Sequence, residues 1–169
     1  MQPPSPTPIA PPTRSWRDQW DRIHRWYGRF RSTVEGRTHD MDSLNYDDEV
    51  YAFFESTWHL QDWLKNDPAH PLARVQDVED FANSSDPLRW CADITNGSKH
   101  LEANREPRVD PNTGIGGRHY SVTLGTEPTP TTISVSYDIV GAGQCRDAMA
   151  LADECLAAWE QFLKKHGLL

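Results

Sequence analysis

The hydrophobic pattern of this chain changes period twice, and that change constrains the fold more than any other feature. Up to about residue 101, apolar side chains recur every three or four positions, the spacing of one face of an α-helix. Tyr120, Val122 and Leu124, then Ile133, Val135, Tyr137 and Ile139, instead alternate with Ser, Thr and Asp. That is the period of a strand with one buried face. From Cys145 to Leu163 the helical spacing returns. A chain patterned in this way is expected to be mainly α. The expected fold is an antiparallel helical bundle with an antiparallel β-hairpin, at about 118–139, inserted before the C-terminal helix.

The helix boundaries follow from local chemistry. Trp16, Trp20, Ile23, Trp26 or Tyr27, and Phe30 form a stripe, with Ser15 placed to cap it and Gly36 to stop it. A second helix is predicted from Tyr46 to Asn66, capped by Asn45 or Asp47 and ended before Pro68. A shorter one is expected over 72–84. Ser85 or Asp86 caps a fourth, with Pro87 in its first turn, and it runs to about Leu101. Val140-Gly-Ala-Gly-Gln-Cys145 lacks the third glycine of a dinucleotide fingerprint, so it is expected to be a strand-to-helix turn. Residues 1–13 hold six prolines and are expected to form a disordered, extended arm. Residues 14–169 then make a single domain.

Charge narrows the function classes. The net charge of −8 argues against a broad electrostatic grip on nucleic acid or anionic lipid. The distribution is uneven, however. Residues 14–37 carry seven arginines, while 40–87 are strongly acidic. Arg14, Arg17, Arg22, Arg25, Arg29 and Arg31 stand beside Trp16, Trp20 and Trp26, an interleaving that suits RNA contact. A solvated charged face on an amphipathic helix explains the same residues more simply. Cys91, Cys145 and Cys155 are too few and too widely spaced for a disulfide framework or a zinc site. All three are expected to be buried, reduced thiols on helical apolar faces. No apolar run is long enough to span a bilayer, and the first residues have no signal-peptide pattern, so a cytoplasmic protein without membrane contact is expected.

The candidate chemistry lies on two predicted helices. Asp93, Asn96 and His100 are three and four residues apart and so share a face, with Lys99 beside them. His59 and Asp62 have the same relation on the second helix. If the two helices pack, the pairs could form one cluster that holds the bundle in register or carries acid–base chemistry. A structural polar network is the simpler reading, and neither a metal nor a cofactor is expected. Gly97 costs about 1 kcal/mol relative to Ala in a helix interior. Its presence suggests the close approach of another backbone or a ligand, or a kink.

Asn96-Gly-Ser-Lys-His100, set in an all-helical bundle, resembles the HEPN superfamily of compact helical domains from toxin–antitoxin, antiphage and RNA-processing systems. Many of that family are metal-independent, dimeric ribonucleases whose signature is an Arg, a polar residue and a His. Asn96 and His100 match the last two, while Thr95 stands where the Arg would be. Without that Arg the charge developing on a scissile phosphate lacks its planar partner, since Lys99 is only a point charge. The resemblance therefore implies a non-enzymatic binding or regulatory module in bacterial or phage defence. Its expected partner is another protein or a second copy, with RNA or a nucleotide as the candidate ligand. The alternative is a metal-independent endoribonuclease. There His100 would be the general acid/base, Asn96 would orient it or a phosphate, and Lys99 would stabilise charge.

Overall fold

The computed structural model of the protein describes residues 14–38, 46–69, 75–99 and 106–169. The element order is α1 (Trp16–Glu35), β1 (Arg37–Thr38), α2 (Tyr46–Asn66), α3 (Val75–Ser84), α4 (Asp86–Lys99), β2 (Gly114–Thr123), β3 (Thr132–Gly141), β4 (Gln144–Asp147) and α5 (Ala148–Lys165). The protein is mainly α, as its sequence pattern predicts. The Pro-rich arm, Asn45 and the first residues of the predicted third helix lie outside the described residues.

Helix α1 begins where its sequence says it should. The Ser15 hydroxyl accepts from the backbone N–H of Arg17, and the Asp18 carboxylate accepts from the N–H of Ser15 at 2.7 Å. Two otherwise orphaned donors are thereby satisfied. Gly36 ends the helix at φ 103°, a conformation that L side chains rarely adopt. One face of α1 then buries Trp16, Ile23 and Phe30 completely. Helix α2 packs on this face and also against α3, α4 and α5, so its Val50, Phe53, Phe54 and Leu60 are fully enclosed. Each such side chain contributes about 1.5–3 kcal/mol on leaving water. Polar ties fix the register of the core. The indole of Trp159 donates to the Thr57 carbonyl at 3.1 Å, and the Cys91 thiol donates to the Phe54 carbonyl at 3.1 Å.

The two alternating runs form β2 and β3, which pair antiparallel within a four-stranded sheet. Strand β3 is central, with β2 along one edge and β1 and β4 on the other. Val135, Tyr137 and Ile139 of β3 are buried against the helical layer, where α1 and α5 pack on them. Tyr120 and Val122 of β2 sit opposite Val135 and Ile133 and so point to the same side. They are nonetheless 61 % and 57 % exposed, since β2 is an edge strand and α1 and α5 pack on β3. Alternation placed these residues on the inner face, but it could not tell how far the helices extend.

The segment after β3 departs from expectation. Ala142 and Gly143 both have positive φ, 47° and 71°, which makes a two-residue hairpin turn into β4. Cys145 therefore lies in a strand and is exposed, while Cys91 and Cys155 are buried. Helix α5 starts three residues later than the apolar stripe suggests. Asp147 caps it by accepting from the N–H of Ala150 at 2.7 Å.

Candidate functional site

The fourth helix and the loop before β2 form a polar constellation centred on Asp93. Asp93 is only 5 % exposed. Its carboxylate accepts from the backbone N–H groups of Arg108, Val109 and Asp110, with Oδ2 2.6 Å from the Val109 nitrogen. A buried carboxylate is stabilised by such a nest of backbone donors. The loop is held from other directions as well. The Arg108 guanidinium lies over the Trp58 ring at 4.4 Å, and its Nε donates to the Asn83 side-chain oxygen. The Arg89 guanidinium donates to the Arg108 carbonyl. Asp93 thus ties α4 to the chain that leads into β2, and Arg108 ties the same segment to α2 and α3.

Gly97 belongs to this arrangement. A Cβ at that position would lie 3.4 Å from the Thr113 carbonyl, so a backbone does approach the helix there. Thr113 is itself buried and bonded to the Asp110 carbonyl through both its N–H and its hydroxyl. Asn96 is half-buried on α4. Lys99 is the last residue of that helix, and its side chain and the whole of His100 lie outside the described residues.

Helices α2 and α4 do pack on one another, through contacts that include the Ser98 hydroxyl donating to Glu55 at 2.7 Å. The described contacts nevertheless put the acids of the two predicted pairs in different networks. Asp62 is solvent-facing and bonded to Lys65 at 3.1 Å, and Lys65 also bonds Glu79 of α3 at 2.9 Å. His59 is half-buried one turn earlier. Asp62 lines a cleft of about 300 Å³ with Arg14, Trp16, Trp63 and Asp67. The Asp67 carboxylate accepts from the N–H of Trp16 at 2.8 Å. Among the described residues no group of three His, Cys, Asp or Glu side chains could hold a metal ion, and no helix is long and apolar enough to cross a membrane.

A second constellation lies on the outer face of α1. Arg22, Arg25, Trp26 and Arg29 stand at i, i+3, i+4 and i+7 and line a groove of about 500 Å³. Arg22 is held over the Trp63 ring at 5.6 Å and donates to the Gln19 side-chain oxygen at 3.0 Å. Gln19 is buried and in turn donates to the Ser56 carbonyl at 2.7 Å. Arg29 lies over Trp26 at 4.8 Å. None of Arg22, Arg25 and Arg29 pairs with a carboxylate among the described residues. Other arginines of the same helix are committed elsewhere: Arg17 bonds the Leu168 carbonyl, and Arg31 pairs with Glu35. The sequence identifies the arginines and Trp26 but misses Gln19 and Trp63, whose roles depend on the packing of α1 against α2.

Compared with known proteins, the chain matches no family model, and no curated protein or solved structure is significantly similar to it.

Proposed function

We propose that this protein is a non-enzymatic, HEPN-like binding or regulatory module built on an antiparallel helical bundle, with a defence or regulatory role. The observation that carries this reading is the occupation of Asp93. Its carboxylate, the acid of the Asp93–Asn96–His100 row, is engaged by three backbone N–H groups of the loop before β2, a structural task. Thr95, at the position of the family's Arg, is 2 % exposed and donates to the Cys91 carbonyl within its own helix. Thr95 thus does not supply the positive, accessible group that a metal-independent phosphodiester cleavage needs. Asp93 is better suited to holding the loop before β2, leaving function to surfaces that meet a partner.

The test is expression of the wild type and His100→Ala in bacteria, with total RNA and both melting temperatures recorded. The module reading expects intact RNA from both. RNA cleavage by the wild type that disappears in a normally melting His100→Ala variant would overturn it in favour of the ribonuclease.

A further inference from the structure

The outer face of α1 carries positive charge that no carboxylate among the described residues neutralises. We infer that the groove lined by Arg22, Arg25, Trp26 and Arg29, with Trp63 beside it, binds a short stretch of single-stranded polynucleotide. This deepens the binding-module reading, on which it rests, by assigning a ligand class to a place on the fold well separated in sequence from the Asn96–His100 row.

Three observations carry the inference. First, the three guanidinium groups lack carboxylate partners among the described residues, in a chain whose net charge is −8. Arginines this close together repel one another, so leaving them unpaired costs stability unless an anion is the intended partner. Asp21 lies one turn before Arg25 on the same helix and makes no ion pair with it. Second, two of the three are positioned by rings and a buried amide. Arg22 is fixed by Trp63 and by the Ser56–Gln19 chain, and Arg29 by Trp26. Such positioning orients a guanidinium while leaving its charge and most of its N–H donors available to phosphate oxygens. Third, the groove sets the Trp26 ring among three guanidinium groups, with the Trp63 ring beside Arg22. Unpaired bases stack on both kinds of surface, whereas the bases of a duplex are already stacked and present only their edges. From Arg22 to Arg29 the helix rises about 10 Å, enough for two or three nucleotides.

The experiment measures binding of fluorescently labelled oligouridine and oligothymidine, a blunt duplex and a polyglutamate peptide to the full chain. It compares the wild type with Arg25→Ala/Arg29→Ala, Trp26→Ala and, as a control for charge alone, Arg31→Ala. Melting temperatures are recorded for all four. The expected result is preference for one or both single strands over the duplex and polyglutamate. Affinity should fall about tenfold or more in the double-arginine and Trp26 variants and little in Arg31→Ala. Between about 50 and 200 mM salt, log K should fall against log[salt] with a slope of about −2, that of three phosphate contacts on a single strand. Equal binding of polyglutamate, equal loss in Arg31→Ala, or no binding at low salt would each overturn the groove assignment. The integrity of the RNA recovered from the same samples reads the other proposal separately. Bound and intact strands support both, bound and cleaved strands overturn only the non-enzymatic reading, and unbound, intact strands overturn only the groove.

Discussion

The Oδ2 atom of Asp93 lies 2.6 Å from the backbone nitrogen of Val109, inside a nest completed by the N–H groups of Arg108 and Asp110. One side chain therefore fixes three consecutive peptide units sixteen residues away and sets where β2 begins. Asp93→Ala should destabilise the protein by about 2–4 kcal/mol, because it leaves those donors without their charged acceptor in a half-buried loop. Asp93→Asn keeps one acceptor oxygen and should cost less. Urea denaturation of the two variants checks this. A loss below about 0.5 kcal/mol for Asp93→Ala would mean that water replaces the carboxylate freely and that the loop does not depend on it.

Two glycines near Thr113 should respond in opposite ways. At Gly97 an added Cβ would reach only van der Waals contact with the Thr113 carbonyl, at 3.4 Å. Gly97→Ala should therefore keep much of the helix-propensity gain and stabilise by up to about 1 kcal/mol. At Gly141 the same atom would lie 2.6 Å from the Thr113 hydroxyl oxygen and 3.0 Å from the Trp90 ring. Trp90 is 2 % exposed and cannot swing away, so Gly141→Ala should destabilise by about 1–3 kcal/mol. Thermal melts of the two variants shifting in the same direction would contradict this account of the packing.

The three thiols should separate cleanly by reactivity. Cys145 is exposed in β4, whereas Cys91 and Cys155 are fully buried. Burial above all raises the Cys155 thiol well above its ordinary pKa, and the Cys91 thiol beside it adds to the effect. Near neutral pH an aromatic disulfide reagent should label one thiol per native chain, and all three after unfolding. Cys145→Ser should abolish the native reaction. Two rapidly labelled thiols in the native protein would place α4 or α5 in a more open arrangement than described.

What could be read from the sequence was what is local. The Ser15 cap, the stop at Gly36 and the end of α2 depend on residues a few positions apart, and all three are present. The two strands of the hairpin were legible because alternation survives in both. Strand β4 was not, because Gln144, Cys145, Arg146 and Asp147 show no alternation, and an apolar Cys145 one helical turn before Ala148 extended the stripe of α5 backwards. The exposure of Tyr120 and Val122 depends on where the helices stop, which no strand pattern encodes. At the candidate site the row Asp93–Asn96 was visible, but the partners of Asp93 lie beyond a loop. The Gln19 and Trp63 supports of Arg22 come from the contact between two helices. A motif read along one helix names its residues, whereas their task is set by what the tertiary structure brings opposite them.

Tyr137 should contribute to a loss of stability at alkaline pH. The side chain is 1 % exposed between α1 and the sheet, with its ring 6.2 Å from that of Phe30. Its hydroxyl lies near the Asp47 carboxylate without the geometry of a hydrogen bond, and that carboxylate is committed to Arg118, whose Nε donates to it at 2.9 Å. Burial first, and then the charge of Asp47, raises the phenol above its ordinary pKa of 10.0. The folded state thus favours the protonated form. Its contribution is present in full below pH 10 and is lost as pH rises from there through the higher folded value. Tyr51 and Tyr27 are shifted in the same direction, each chiefly by burial, so the fall should begin near pH 10 for all three. Tyr137→Phe removes a buried hydroxyl that has no hydrogen-bond partner among the described residues. It should leave stability at neutral pH unchanged or raise it by up to about 1 kcal/mol. The decline between about pH 9 and 11 should become shallower, because one group that must ionise on unfolding is gone. Urea melts of both proteins across that range decide the matter. A Phe variant that loses more than about 1 kcal/mol at neutral pH would show that the hydroxyl is held by a hydrogen bond after all.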